Sequence, residues 1–422
     1  MRLEGKVFQR RMSFLEFIVM KSDFTVCIAG KNQIAVDGLR AALSAYGAER
    51  VVVCPNAGDD GVSRWQPSLL RYAREWGVRV ARLDELYEIE ALTFLSLEFD
   101  QIIVPDRFKS KSLFNMHFSR LPAYKGMYTA AWPILNGETF SGVTLHRIDA
   151  GIDTGDIVDC IDIPLTADTT ARDLYFDCMR SAARLVERHL ADVVDGSVMA
   201  QPQVAAGSSY YAKSSINYST LAIDLRNTAD NITRQSRAFS FREFQTPKID
   251  GINVAPGVVI AERSVGKAGK VRADGDALVV SSIDFDVRFE RDNSWIFFDY
   301  VARGDVEAVP SGDAIVDQIN FTNAQGWTPL MIAAYQGKSM ICQSLLRAGA
   351  DLGLGNRNGT TALMYAKDYA VESGDFSICR LLLDAGADLD QADCFDRSVV
   401  DYALLRQQHT AIKFFGEKTH AV

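Results

Sequence analysis

The residues best suited to chemistry in this sequence are an asparagine, a histidine and an aspartate in two separate segments. Asn115 and His117 stand two positions apart in the apolar run LFNMHFS, and Asp153 lies in the glycine-rich segment GIDTGD further along. Side chains two apart on a strand project from the same face, so the amide and the imidazole would line one wall of a site. A carboxylate beside the imidazole would fix its tautomer and favour its charged form.

Acyl transfer to an amine is the chemistry that such a set can perform. The reaction passes through a tetrahedral intermediate with a negatively charged oxygen, so it needs a hydrogen-bond donor for that oxygen and a base for the amine proton. By itself an Asn-x-His pair on a strand is more often structural, and an aspartate in a glycine-rich turn commonly serves only the turn. The complete pattern, with Leu121-Pro122 after the strand and Gly155-Asp156 after Asp153, favours a reaction centre.

Alternating strand and helix patterns surround these residues and predict an α/β, Rossmann-like core. Residues 24–29 (FTVCIA) have the composition of a buried parallel strand. Strands that alternate with helices imply a parallel sheet in a doubly wound layout, in which ligands bind at the carboxyl ends of the strands. Segments 113–119 and 142–149 are predicted strands of this sheet, and 168–198 is a predicted long helix with Asp168 as its N-cap.

Two changes of pattern divide the rest of the chain. Short alternating strands with Asp-Gly and glycine-rich turns predict a small antiparallel β subdomain over residues 245–295. Beyond it GWTPLMIAA returns as GTTALMYA and LLRAGADL as LLDAGADL, with a period near 33 that is typical of ankyrin repeats. The predicted domains are an N-terminal extension at 1–22, a catalytic domain at 23–244, the β subdomain and an ankyrin-repeat domain at 296–422.

The composition argues against several kinds of partner. The 422 residues carry a net charge of −9, so we expect no nucleic acid to bind. No apolar run reaches the roughly 18 residues of a membrane helix, and Glu16 interrupts the N-terminal apolar stretch, so neither a membrane segment nor a signal peptide is expected. Five scattered histidines and seven cysteines without a C-x-x-C pair predict no metal site and no disulfide framework. We therefore expect a cytoplasmic protein that starts at Met1, Met12 or Met20.

The motif N-x-H-x-S-x-L-P that begins at Asn115, followed by D-x-G-D from Asp153, resembles a known family. It is the formyltransferase fold shared by methionyl-tRNA, glycinamide-ribonucleotide and sugar formyltransferases. The resemblance implies that 10-formyltetrahydrofolate is the formyl donor and that no metal is needed. It also implies that Asn115 binds the developing oxyanion, that His117 is the general base, and that Asp153 orients His117 and relays the proton.

The resemblance extends to a candidate folate site. In the family the pterin binds against the backbone of the segment just before the catalytic strand, which corresponds here to FDQIIVP. Ile102, Ile103 and Val104 would supply apolar walls and main-chain hydrogen bonds, and the loop from Asp149 to Asp153 would close the other side. For any one of the three apolar residues, a place in a core strand is an equally good interpretation.

The acceptor implied by the resemblance is a nucleotide sugar. GKNQIAV, CPNAGDDG and KGMYTAAWPILNG are similar to enzymes that formylate dTDP-linked amino-dideoxyhexoses for O-antigen or other surface polysaccharides, a branch with ankyrin-tailed members. A thymine ring prefers an aromatic face, and a pyrophosphate prefers Arg, Lys or Tyr donors. The predicted contacts are Met127 and Tyr128 for the sugar, Lys213 and Arg237 for the phosphates, and Phe239, Phe241 and Phe244 for the base. Tyr218 is a further predicted contact to the nucleotide sugar. For each aromatic residue, core packing is an equally good interpretation.

Several alternatives stay open at this point. The amine could be at ring position 3, which we prefer, or at position 4, and the gluco and galacto epimers are not distinguished. The family suggests a homodimer, and Trp327 at a repeat turn could anchor a ligand or a protein partner, or pack on the β subdomain. Two rival functions are an ankyrin-type interaction or regulatory protein with a vestigial catalytic fold, and a tRNA formyltransferase, which the acidic balance disfavours.

Overall fold

The structure is a computed structural model of the chain. It describes residues 24–61, 66–241, 244–292, 301, 303–304, 319–320, 322–323, 326–356 and 358–419. The expected extension at 1–22 and the candidate starts Met1, Met12 and Met20 lie outside these residues.

A seven-stranded sheet forms the centre of the N-terminal part. Its strands are β1 Thr25–Gly30, β2 Val51–Pro55, β3 Arg79–Val80, β4 Leu92–Leu97, β5 Ser112–His117, β7 Phe140–Arg147 and β8 Ile157–Pro164. Their order is β3-β2-β1-β4-β5-β7-β8. Every residue of β4 is buried, because helices cover both faces of a parallel sheet. The chain first builds outward from β1 to β3 and then resumes on the other side of β1, so β1 and β4 form the switch point at which such sheets bind ligands.

The helices of this part are α1 Asn32–Tyr46, α2 Leu69–Glu75, α3 Leu83–Leu86, α4 Trp132–Leu135, α5 Ala171–Asp195 and α6 Ala229–Ala238. Apolar side chains of α1, α2 and α5 pack on one face of the sheet, and those of α3 pack on the other. The N-cap of α5 is Thr170 and not the predicted Asp168. The Thr170 hydroxyl accepts from the Asp173 N–H while the Asp173 carboxylate accepts from the Thr170 N–H, so these two residues satisfy the first turn together.

The sheet is mixed, which differs from the predicted parallel sheet. The first five strands pair in parallel, whereas β7 pairs antiparallel with both β5 and β8. Between β5 and β7 the chain forms only α4 and the two-residue β6 Lys125–Gly126, which pairs with β9 Tyr210–Tyr211. Without a long crossover helix the chain returns alongside β5 in the opposite direction. The resulting register places Asn115 opposite His146.

An antiparallel β subdomain follows, as predicted. Its strands are β10 Lys248–Ile249, β11 Ile252–Asn253, β12 Val258–Arg263, β13 Lys270–Asp274, β14 Ala277–Ser281 and β15 Phe285–Phe289. The last four form one sheet in the order β12-β15-β14-β13. All five residues of β14 are buried, and two of them, Leu278 and Val280, share a core with the apolar face of α6.

Paired short helices form the C-terminal unit. They are α7 Pro329–Tyr335, α8 Ser339–Arg347, α9 Ala362–Ser373, α10 Ser377–Asp384, α11 Val399–Leu405 and α12 His409–Thr419. The first helix of each pair begins after Thr328, Thr361 or Ser398, whose hydroxyl oxygen accepts from a backbone N–H of the first turn. This regular capping and the shared apolar core are typical of stacked repeats. Each helix in the described part of the chain is too short or too polar to span a membrane.

The repeat unit contacts the catalytic domain through Tyr72 of α2. The Tyr72 hydroxyl donates to the side-chain oxygen of Asn358 at 2.5 Å, and its ring stacks on Phe395 with 5.7 Å between centroids. Tyr72 is only 2% exposed, so this contact is part of the folded core.

We expect Tyr72→Phe to lower the free energy of unfolding by about 1 kcal/mol, because the contact loses a hydrogen bond. Tyr72→Ala should lower it by about 3 kcal/mol or more, because a buried ring is removed as well. Urea unfolding followed by tryptophan fluorescence measures both changes. Tyr87→Phe, against Phe108 on the other face of the sheet, is the matched control. Wild-type stability of Tyr72→Ala would mean that the contact is not formed in solution.

Candidate active site

Three side chains meet at the carboxyl end of β5. Asn115 and His117 project from β5, and Asp153 comes from the turn between β7 and β8. The Nδ1 atom of His117 lies 3.4 Å from Oδ1 of Asp153, and Nδ2 of Asn115 donates to the same oxygen at 3.3 Å. The three residues that the sequence analysis selected for catalysis are therefore neighbours in space.

The carboxylate of Asp153 is buried and held by several donors. Its side chain is 11% exposed, and Oδ2 accepts the Gly126 N–H at 2.9 Å. Burial acts to raise the pKa of Asp153, but the charge of His117 and the hydrogen bonds from His146 and Gly126 outweigh it and lower the pKa to about 2. The turn needs Gly155, because a Cβ there would lie 1.9 Å from the Arg147 carbonyl oxygen. Asp153 thus stays ionised at neutral pH.

His117 is anchored through one ring nitrogen and faces Asp153 with the other. Nε2 lies 2.9 Å from the carbonyl oxygen of Tyr124. A carbonyl oxygen only accepts, so the hydrogen is assigned to Nε2, and Nδ1 of the neutral ring is unprotonated. Burial lowers the pKa of His117 below its ordinary 6.5, against the raising effect of Asp153. At neutral pH the Nδ1 atom can therefore accept a proton, and the imidazolium that forms would pair with Asp153.

His146 is a further member of the site, which the sequence analysis did not single out. Its Nδ1 donates to the Arg147 carbonyl oxygen at 2.7 Å, so its Nε2 can accept from Nδ2 of Asn115 at 3.1 Å. The ring is 2% exposed. The only signal in the sequence is its place in the predicted strand GVTLHRID, because the antiparallel register that sets it opposite Asn115 cannot be derived from that strand alone.

The amide of Asn115 is oriented from both ends. Ser96 donates its hydroxyl to Oδ1 of Asn115 at 2.7 Å, which turns Nδ2 towards His146 and Asp153. The bond to Asp153 is the longer of the two, so an amide hydrogen can be redirected to a negatively charged oxygen in the site. An oriented donor in a buried setting is the arrangement that stabilises an oxyanion.

The segment predicted to hold the pterin is an exposed loop after β4, not a core strand. Ile102 is 77% and Val104 49% exposed, whereas Ile103 packs partly buried on the core beneath them. Asp149 holds the facing turn, since its carboxylate accepts from the Gly151 N–H and the Thr154 hydroxyl. Exposed apolar side chains at the carboxyl end of a sheet are suited to an aromatic ligand, and their contact with folate stays a prediction.

Met127 and Tyr128, the residues predicted to touch the sugar, come immediately after Gly126, whose N–H donates to Asp153. Met127 is 44% exposed, and the Tyr128 ring lies 5.0 Å from that of Tyr218. Lys213 is exposed in a short 3₁₀ helix that follows β9, the strand paired with β6. Met127 is therefore close in sequence to the Asp153 contact, Tyr128 and Tyr218 pack on the core next to α6, and the contact of all three with a sugar stays a prediction.

The residues predicted to bind phosphate and base differ in exposure. Arg237 donates to the Thr169 carbonyl oxygen, and its buried Nε atom has no hydrogen-bond partner within the described residues. Phe239 and Phe241 are each 7% exposed because they fill the core between α6 and the β subdomain. Phe244 is 63% exposed and lies 4.9 Å from Phe241 between centroids. Phe244 thus has the most ring surface left for a base.

Trp327 packs within the ankyrin unit. Its ring lies 4.3 Å from Tyr365 and 5.2 Å from Tyr335 between centroids.

Over the part of the chain that the structure describes, no three His, Cys, Asp or Glu side chains converge as a metal centre would need.

Two protein families match the chain. The formyl transferase family matches residues 93–188, and the ankyrin-repeat family matches residues 307–393 as three copies. Methionyl-tRNA formyltransferase of Clostridium tetani is 24% identical over 286 residues, which is 62% of this chain and 91% of that protein. The Acetivibrio thermocellus enzyme of the same name is 30% identical over 186 residues, which is 41% of this chain and 59% of that relative.

Solved structures of sugar formyltransferases match more of the chain. An N-formyltransferase from Helicobacter canadensis, in complex with folinic acid and dTDP-3-aminofucose, is 39% identical with a TM-score of 0.60, over 64% of this chain and 100% of that one. WlaRD, a sugar 3N-formyltransferase in the presence of dTDP and 5-N-formyl-THF, is 40% identical with a TM-score of 0.60, over 64% of this chain and 98% of that one. This chain therefore belongs to the formyltransferase family, as a sugar N-formyltransferase with C-terminal ankyrin repeats.

Proposed function

We propose that this enzyme transfers the formyl group of 10-formyltetrahydrofolate to the amine of a dTDP-linked amino-dideoxyhexose, with the 3-amino sugar as the preferred acceptor. The product would serve O-antigen or other surface-polysaccharide biosynthesis. The observation that carries the proposal is the buried cluster of Asn115, His117 and Asp153, with 3.4 Å between the imidazole and the carboxylate. The similarity to enzymes solved with dTDP-3-aminofucose or dTDP supports the choice of acceptor.

The geometry of the cluster is consistent with the following roles. The amine nitrogen of the sugar attacks the formyl carbon, and an amide hydrogen of Asn115 stabilises the negative charge that develops on the formyl oxygen. Nδ1 of His117 takes the proton that the amine loses, and Asp153 stabilises the imidazolium. As the bond from the formyl carbon to the folate N10 breaks, the proton passes to N10 through His117 and Asp153. The products are the formamide of the sugar and tetrahydrofolate.

The ligands would bind on both sides of this cluster. The pterin lies between Ile102, Ile103 and Val104 and the loop from Asp149 to Asp153. Met127 and Tyr128 contact the hexose. The remaining predicted contacts to phosphate and base are Lys213, Tyr218, Arg237, Phe239, Phe241 and Phe244, and among these Phe244 is supported by its exposed ring.

The enzyme is further proposed to be a cytoplasmic homodimer. Exposed apolar side chains on the β subdomain support an interface between copies there. They are Val258, Val265 and Ile283, which are 65%, 99% and 63% exposed. The ankyrin unit, with Trp327 near its first described helix, is a second candidate surface for a ligand or a protein partner.

The deciding experiment is an assay with 10-formyltetrahydrofolate against a panel of dTDP-3-amino- and dTDP-4-amino-dideoxyhexoses, in which the release of tetrahydrofolate is followed. Rapid turnover on one acceptor is the expected result. No turnover on any acceptor, with folate still bound, would point to a different nucleotide or amine. No folate binding would favour the interaction protein with a vestigial catalytic fold.

A tRNA acceptor is the second candidate, because the matching curated relatives are methionyl-tRNA formyltransferases. The net charge of −9 disfavours it, since RNA binding depends on basic surface. Filter binding with methionyl-tRNA at moderate salt separates the two functions, and we expect no retention.

His117→Asn should lower kcat by about 100-fold or more, because the general base is lost. Binding of the nucleotide sugar should be unchanged. The matched control is His189→Asn, on α5 beside Asp159 and away from the cluster, which should keep full activity. A His117→Asn enzyme with more than about a tenth of the wild-type rate would contradict the role of His117 as base.

The pH dependence of kcat/KM should report His117. Its pKa lies below 6.5, so the rate is level near pH 7 and falls at lower pH as the ring becomes protonated and can no longer accept a proton. Asp153 raises that pKa, so Asp153→Asn should lower it further and shift the acid limb to lower pH, in addition to slowing turnover. An acid limb that moves to higher pH in Asp153→Asn would contradict this assignment.

A further inference from the structure

A second polar cluster lies at the carboxyl ends of β1 and β4, and the reaction described above does not use it. It consists of Asn32, Glu98 and Tyr175. Nδ2 of Asn32 donates to Oε2 of Glu98 and to the Tyr175 hydroxyl oxygen at 2.9 Å each, and that hydroxyl donates to the same Oε2 at 2.8 Å. Two residues far apart in sequence, Asn32 and Tyr175, therefore hold one oxygen of the Glu98 carboxylate.

This cluster is next to the reaction centre. The parallel ladder pairs Ser96 of β4 with Asn115 of β5, and Leu97 with Met116. Glu98 and His117 directly follow these two residues in sequence, so both lie at the carboxyl ends of neighbouring strands. Asp153 and His146 approach His117 from the β7 side, and Glu98 follows the strand on the other side of β5.

The backbone forces the cluster together. Asn32 and Glu98 have φ angles of 65° and 58°, which non-glycine residues adopt rarely and mainly at functional sites. Gly30 lets the two strand ends meet, because a Cβ at this position would lie 1.8 Å from the Leu97 carbonyl oxygen. The side chains after β1 and β4 are thereby turned towards each other at the switch point.

Glu98 keeps an oxygen for a ligand. Both hydrogen bonds from the cluster end on Oε2, and within the described residues no side chain donates to Oε1. The Tyr175 ring lies 5.3 Å from Phe241, which in turn contacts the exposed Phe244. The free carboxylate oxygen and the exposed aromatic ring are thus connected through one chain of contacts.

We propose that Oε1 of Glu98 accepts a hydrogen bond from the C4 hydroxyl, which is next to the amine carbon on the acceptor's hexose ring. Asn32 and Tyr175 position Glu98 for this contact. The inference rests on the proposed function and names the part of the sugar that the site recognises. The amine must reach Nδ1 of His117, and with Asp153 on one side the neighbouring ring carbon lies towards the other side, where Glu98 stands.

The test compares two acceptors that differ by one hydroxyl, dTDP-3-amino-3,6-dideoxyhexose and dTDP-3-amino-3,4,6-trideoxyhexose. For Glu98→Gln we expect kcat/KM on the hydroxylated acceptor to fall by about 10- to 100-fold, mainly through KM, because a hydrogen bond to a charged group is lost. On the trideoxy acceptor it should change by less than about twofold, and the KM of the formyl donor should be unchanged. Glu90→Gln, an exposed glutamate before the other end of β4, is the matched control and should match the wild type.

Tyr175→Phe is a second variant, which removes one support of Glu98 and should give a smaller loss with the same preference. If thermal unfolding shows that Glu98→Gln does not fold, the same comparison of acceptors is made with Tyr175→Phe. Equal losses on both acceptors would assign the cluster a structural role, and no loss on either would remove Glu98 from the acceptor site, so both results overturn the proposal. A wild-type enzyme that is silent on both acceptors would instead overturn the proposed function.

Discussion

The buried carboxylate of Asp153 is the interaction on which the rest of the site depends. A charge removed from water needs donors, and Asp153 finds them in the Gly126 N–H and the Asn115 amide. Two imidazole rings, of His117 and His146, lie 3.4 and 3.6 Å from the same carboxylate and pair with it when they are protonated. These groups come from β5, β6 and β7, so one buried charge fixes three elements relative to each other. The same contacts keep the carboxylate ionised and leave Nδ1 of His117 as the basic atom. The same hydrogen bonds therefore hold the fold together at this edge and orient the groups that are proposed to be catalytic.

The mixed sheet explains how the site is completed. Because β7 runs antiparallel to β5, His146 stands directly opposite Asn115, and the turn that leads to β8 brings Asp153 back to the same edge. On the other side β4 remains parallel and contributes Ser96. The proposed reaction centre thus lies where parallel and antiparallel pairing meet.

The ankyrin unit is joined to the helices on one face of the sheet, not to the catalytic edge. Tyr72 of α2 contacts Asn358 and Phe395 of the repeats, and residues of both parts, among them Gln33 and Asn356, line a common cleft. Gln33 stands beside Asn32 in the first turn of α1, so this single turn borders both the cleft and the switch point. The first turn of α1 therefore lies between the repeats and this edge of the sheet.

The sequence by itself determined the features that depend on local period and local turn chemistry. Strand alternation placed Asn115 and His117 on one face, the glycine-rich turn marked Asp153, and the period near 33 gave the ankyrin repeats. The α/β core and the antiparallel β subdomain were also predicted from such patterns and are confirmed. Features that depend on which distant segments meet were decided only by the tertiary structure. His146 became part of the site through strand register, Phe239 was buried by packing against β strands, and Glu98 was paired with Tyr175 across the sheet edge. Register and burial are set by contacts between residues far apart in the chain, and no local pattern encodes them.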